Sequence, residues 1–142
     1  MIEYLDFEML ISEAEGGYRA RILDSPGGQA STTFTLPFNE AEIAAFYQRL
    51  DRPRYDDGNL EAAREYGGRL FDAVFTGEML GTLRASLIRA EASIKGLRFR
   101  LRFDDEAAPV AQLAWETLYY AALDRFFSLS AYTPLTRFLE MP

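Results

Sequence analysis

Leu97-Arg-Phe-Arg-Leu-Arg-Phe-Asp104 alternates without a fault. Leu97, Phe99, Leu101 and Phe103 fall on one side of an extended chain. Arg98, Arg100, Arg102 and Asp104 fall on the other, because successive side chains of a strand point to opposite faces. The stretch predicts a β-strand with one buried face and one charged face. Its neighbour on the C-terminal side, Val110-Ala-Gln-Leu-Ala-Trp-Glu-Thr-Leu-Tyr-Tyr120, changes period. Val110, Leu113, Ala114, Thr117, Leu118 and Ala121 recur at helical spacing, with Trp115 and Tyr119 to one side. Acidic Asp104-Asp105-Glu106 followed by Pro109 suits a helix start, so a helix is expected from Pro109 through about Ala122.

Upstream, Leu5, Phe7, Met9 and Ile11 alternate as a first strand. A hairpin closed on Gly16-Gly17 would set Glu15 opposite Tyr18 and Ile11 opposite Ile22. That register gathers Met9, Ile11, Ala20 and Ile22 on one face and puts Arg19 and Arg21 on the other. Ser25-Pro-Gly-Gly28 is a turn by composition, and Thr32 to Leu36 reads as a third strand. Together they form an antiparallel meander.

Asn39 with Glu42 three residues on forms a capping box, and Phe38 with Ile43 a hydrophobic staple. The first helix runs to about Leu50 and is expected to bury Ile43, Phe46, Tyr47 and Leu50. Asp51-Arg-Pro-Arg-Tyr-Asp-Asp-Gly-Asn59 reads as a long polar loop. A second helix covers about Leu60 to Phe75. Gly67-Gly68 in its middle is unfavourable by roughly 1 kcal/mol per Gly, which points to close approach by another element. A third helix runs from Glu78 to about Lys95, with Leu80, Leu83, Leu87, Ile88, Glu91 and Ile94 on its stripe and Gly96 as its cap.

Composition limits the chemistry. The 142 residues suit one domain, and 49% are hydrophobic, enough for a core. The chain has no Cys and no His. A Ser-His-Asp triad, a Cys-His dyad and thiolate or imidazole metal sites are therefore impossible within it. A net charge of −7 argues against binding nucleic-acid phosphates or anionic membrane. No apolar run reaches ~18 residues. Met1-Ile-Glu-Tyr-Leu-Asp6 has acidic residues where a secretory signal is basic, so a cytoplasmic location is expected.

Several segments stand in a characteristic order: Tyr4-Leu-Asp-Phe7, Gly17-Tyr-Arg-Ala-Arg21, Leu36-Pro-Phe38, Tyr66-Gly-Gly-Arg-Leu-Phe-Asp-Ala-Val-Phe75, Leu97-Arg-Phe-Arg-Leu-Arg102, Leu113-Ala-Trp-Glu-Thr-Leu-Tyr119 and Thr133-Pro-Leu-Thr-Arg137. In this order the chain resembles the N-terminal region of bacterial CHAT-domain proteins, which carry a caspase-like domain. Ala114 stands where that family typically has Pro, and Asp124-Arg125-Phe126 follows an altered turn. The family's catalytic His and Cys lie further downstream and have no counterpart here, so no catalytic residue is carried over. The resemblance implies either an excised N-terminal domain or a stand-alone relative, in an accessory role beside a caspase-like effector of a bacterial conflict system.

Two clusters are candidate sites. Arg98, Arg100 and Arg102 stand about 7 Å apart on one strand face, and Arg19 and Arg21 widen the patch if the hairpin shares that sheet. They suit an acidic partner or an anionic ligand; the simpler reading is a solvated face paired with Asp and Glu. Trp115, Glu116 and Tyr119 suit an interface anchor, against a core tryptophan. The pairs Asp56-Asp57 and Asp104-Asp105 read as caps and turns rather than cation sites.

The expectation is one α+β domain, a mostly antiparallel sheet with about four helices against one side. It has no catalytic residue, cofactor or metal. Its expected partner is a caspase-like domain in cis or in trans, or a second copy of itself, and neither nucleic acid nor membrane. The alternative is a sensor for an anionic small ligand or nucleotide on the Arg face.

Overall fold

The computed structural model describes residues 1–50 and 57–139. Strand β1 (Tyr4–Ala14) pairs with β2 (Gly17–Asp24), and β2 with β3 (Ala30–Phe34), as an antiparallel meander. Helices α1 (Glu40–Leu50), α2 (Asp57–Val74) and α3 (Gly77–Ala92) follow, then β4 (Gly96–Phe103). After β4 come the single-turn helix α4 (Ala108–Ala111), the two-residue strands β5 (Tyr119–Tyr120) and β6 (Arg125–Phe126), and β7 (Leu135–Leu139). Of the polar loop expected over Asp51–Asn59, residues 51–56 lie outside the described residues, and the backbone of 57–59 opens α2. Asp56, and with it the pair Asp56-Asp57, lies outside them too, as do the side chains of Leu50 and Asp57.

The expected α+β class holds, but the sheet is mixed rather than mostly antiparallel. Its order is β3-β2-β1-β4-β7, with β4 parallel to both β1 and β7. Long connections permit this: three helices separate β1 from β4, and a crossover of short turns separates β4 from β7. The alternation of β4 is borne out. Leu97, Phe99, Leu101 and Phe103 are buried beside Phe7, Met9 and Ile11 of β1. The hairpin keeps its expected faces in a shifted register, with Ile11 opposite Ala20 and Met9 opposite Ile22. Glu15-Gly16 forms the turn, where Gly16 takes φ +77, a conformation open to Gly at no steric cost.

The capping box at α1 is present: the Asn39 N–H donates to Glu42 Oε1 (3.1 Å) and the Glu42 N–H to Asn39 Oδ1 (2.8 Å). Tyr47, expected in the core, is exposed and donates its hydroxyl to the Gln112 carbonyl. Tyr66 of α2 stacks on both Phe38 and Phe46, at 4.1 and 4.0 Å between centroids. Phe71 continues the aromatic core to Tyr120, and Phe127 links it to Phe99 of β4.

The expected fourth helix starts beside Pro109 but stops after one turn, at Ala111, instead of running on to about Ala122. Residues 105–129 form tight turns, one turn of α-helix and the small β5–β6 pair. Two forces break the helix. The Trp115 indole turns back to the Val110 carbonyl (2.8 Å) and Thr117 Oγ1 donates to the Ala114 carbonyl (2.6 Å), so side chains compete for the backbone. The segment also lies directly on α2, where a Cβ at Gly67 would stand 1.6 Å from the Thr117 carbonyl oxygen. The close approach inferred from Gly67 is thus real. Gly68 has no such need; its nearest neighbour would be 3.9 Å away, on Tyr119.

In α3 the buried stripe is Met79, Leu83, Ser86 and Ala90. Ile88 and Ile94, expected on the stripe, are 65% and 90% exposed. At about 100° per residue Ile88 sits opposite the stripe, and Ile94 lies past the helix end. The cap also differs from expectation. The Ile94 N–H donates to the Glu91 carbonyl and the Lys95 N–H to the Ala90 carbonyl, a Schellman arrangement with Ile94 at φ 56 in the position Gly usually holds. Gly96 serves another purpose: a Cβ there would lie 2.6 Å from the Tyr4 ring.

The two adjacent glycines of α2 make a paired test. Gly67→Ala forces α2 off Thr117 and is expected to destabilise by about 3 kcal/mol or more. Gly68→Ala adds helix propensity in ordinary contact and is expected to stabilise by about 0.5–1 kcal/mol. Urea denaturation of both variants checks this, and equal effects at the two positions would refute the assignment.

Candidate functional site

The uncovered face of the sheet collects the five arginines of the first cluster. Register places Arg21, Leu10 and Arg102 in one row and Arg19 beside Ser12 in the next, so β2 does join the face of β4. On β4 each arginine has a neighbour within the chain. Arg98 Nε donates to Asp6 Oδ1 at 2.7 Å and its guanidinium lies over Tyr4. Arg100 lies over the Phe138 ring, 5.4 Å from the centroid. Arg102 pairs with Glu8 at 3.1 Å. The hydrogen bond that Arg98 donates to Asp6 raises the Arg98 pKa, holding the guanidinium charged. Arg19 and Arg21 are exposed and make no ion pair among the described residues.

The second cluster does not form one site. Trp115 is fully buried against Phe103, 5.6 Å between centroids, and is a core residue. Glu116 points outward and pairs with Arg137 at 3.4 Å. Tyr119 is mostly buried on Phe126 and donates its hydroxyl to Asp124, a bond that, with burial, raises its pKa. Trp115 and Glu116 are adjacent in a tight turn and face opposite ways.

Two features went unseen in the sequence. One is the outer edge of β7, where Phe138 (44% exposed) and Leu139 (48%) stand next to a strand side with no ladder partner among the described residues. The other is a groove of about 760 Å³ between the flank of α3 and the segment 120–133, floored by Leu87, Leu97 and Tyr120. Its signal was present in α3, whose apolar residues extend beyond one stripe.

Asp104 and Asp105 stand at the turn after β4; the Asp104 N–H donates to the Ile11 carbonyl, and Asp105 Oδ1 accepts the Glu106 N–H. No group of three metal-ligating side chains occurs among the described residues, and none of their helices is long and apolar enough to cross a membrane. With no cysteine, cysteine-based catalysis is absent from this chain.

Among the described residues the most perturbed group is Tyr66, whose hydroxyl accepts the Ala114 N–H at 3.4 Å. Burial pushes its pKa from 10 up to about 12, and the Ala114 bond works against that rise. A raised value means the fold favours neutral Tyr66. That contribution is complete below pH 10 and is lost as the pH rises towards about 12. Tyr66→Phe is expected to be less stable than the parent at neutral pH, because the Ala114 N–H loses its acceptor. The gap should narrow by on the order of 2 kcal/mol above that range. Urea midpoints across alkaline pH test it, and a gap that stays constant refutes it.

Comparison with protein-family models, with curated proteins and with solved structures returns no match.

Proposed function

We propose that the chain is a non-catalytic accessory domain that positions or regulates a caspase-like effector domain. The observation that carries this reading is the edge of β7. It is parallel to β4, apolar at Phe138 and Leu139, and open on its outer side among the described residues. Open edges of this kind pair readily with another chain, and natural monomers usually guard them with charge, proline or a bulge. The ordered segments that resemble CHAT-domain proteins point to the effector as the partner, and the lack of His and Cys fits an accessory part. A second reading, an anionic ligand on the Arg face, is favoured by Arg19 and Arg21 alone.

Titration against a purified caspase-like domain of a CHAT protein, followed by light scattering, is expected to give a defined complex. The chain alone should not cleave fluorogenic peptides. Phe138→Asp with Leu139→Lys should weaken the complex at least ~10-fold, since apolar anchors at such contacts carry most of the affinity. No complex at micromolar concentrations counts against this function. Thermal stabilisation by millimolar pyrophosphate or ATP that is lost in Arg19→Ala/Arg21→Ala would favour the second reading.

A further inference from the structure

The groove beside α3 lies at the other end of β4 from Phe138 and Leu139. Leu97 forms part of its floor, whereas Phe103 pairs with Leu139. Its rim carries Ile88, Ile94, Leu123 and Tyr132, all large, apolar and exposed. An apolar concentration of this kind on a small domain marks an interaction surface.

Backbone strain coincides with it. Among the described residues two non-glycine residues have positive φ: Ile94 lines the groove, and Asp124 sits between two residues that line it, Leu123 and Arg125. Asp124 (φ 48) adjoins Leu123 and is held by the Tyr119 hydroxyl; Asp tolerates this conformation. Ile94 (φ 56) is β-branched, for which it is a true outlier. Gly would relax the cap, yet the position carries an exposed isoleucine. Strain kept without a packing gain at an exposed site points to use of the side chain itself.

Charge selects the occupant. Arg84, Lys95 and Arg125 flank the apolar strip, against Glu91 in its lining and Asp124 beside it, whose carboxylate accepts the Tyr119 hydroxyl, in a chain of net charge −7. Arg84 and Arg125 make no ion pair among the described residues, and Lys95 has only a long contact of 3.8 Å to Glu3. From Arg84 to Ala92 the flank of α3 runs about 12 Å, a little over two turns of a partner helix, and Ile94 extends it past the cap. We infer that this groove takes an acidic amphipathic helix of a protein partner, its apolar stripe seated on Leu87 and against the exposed Ile94, Leu123 and Tyr132, and its carboxylates against Arg84 and Arg125. This goes beyond the accessory role and does not depend on the partner being caspase-like.

The probe is a fluorescein-labelled helical peptide of roughly four turns with Leu at i, i+3 and i+7 and Glu on its other face. Anisotropy with the full chain should show saturable binding, weakened at least ~10-fold when Lys replaces Glu in the peptide or when the chain carries Arg84→Glu with Arg125→Glu. Ile94→Gly should raise Tm by about 2–4 °C and weaken the peptide. The inference is overturned if the Glu peptide fails to saturate at millimolar concentration, if the Lys peptide binds equally, or if binding ignores the double charge reversal. An Ile94→Gly chain that gains stability with full affinity also overturns it. So does self-association abolished by the charge reversal without peptide binding, which assigns the groove to a second copy. Peptide binding with no caspase-like complex upholds the groove and removes the effector; a caspase-like complex with no peptide binding does the reverse.

Discussion

The contact of Gly67 with the Thr117 carbonyl sets the depth at which everything else is arranged. Without a Cβ at that point α2 can lie directly on backbone rather than on side chains. The turn 115–117 is then held under α2, which seats Trp115 against Phe103 and brings Tyr120 to Phe71. One residue before the glycine, Tyr66 stacks with Phe38 and Phe46 and so ties α1 to the same layer. Phe38, Phe46 and Tyr66 thus form one ring cluster, Phe71, Tyr120 and Phe127 carry a second to Phe99 of β4, and both belong to one hydrophobic core. Moving α2 outward by the thickness of one methyl group would loosen all of these contacts together, because interiors at this density do not yield locally.

The two sides of the sheet divide the chemistry. Apolar residues of β1, β2 and β4 face the helices, while Asp6, Glu8 and the arginines face out. The arginines of β4 are occupied by carboxylates and rings of neighbouring strands, in pairs that contribute little individually because water screens them. Exposed apolar surface lies instead at the rim: at the edge of β7, and where the end of α3 meets the turns after β5. An interaction module would present its surfaces there, where burying them leaves the core untouched.

Much of the fold was legible in the residues. The period of two in β4, the faces of the β1–β2 hairpin, the Asn39–Glu42 capping box and the close approach at Gly67 each depend on local chemistry, and each stands. What could not be read depends on contacts between distant segments. The parallel pairings of β4 leave no mark in its alternation, since pattern specifies a face and not a neighbour. The run Val110 to Ala121 has helical spacing but is overruled by Trp115, Thr117 and the pressure of α2. In the candidate site, the arginine row and its pairing with carboxylates are legible, but not that Asp6 and Glu8 supply them or that Arg100 lies over Phe138. Trp115 was weighed as an anchor and belongs to the core. Spacing alone puts Ile94 on the buried stripe, because periodicity does not show where a helix stops.

The pairing of β1 with β4 also orders events in time. Asp6 and Arg98 meet across 92 residues of chain. During synthesis the meander β1–β2–β3 can close early, yet Phe7, Met9 and Ile11 must wait uncovered until the helices and β4 have emerged. Non-local parallel pairing of this kind folds slowly and leaves transient apolar strands open to mispairing. The nascent chain is thus most in need of protection before its clearest strand, Leu97 to Phe103, has left the ribosome.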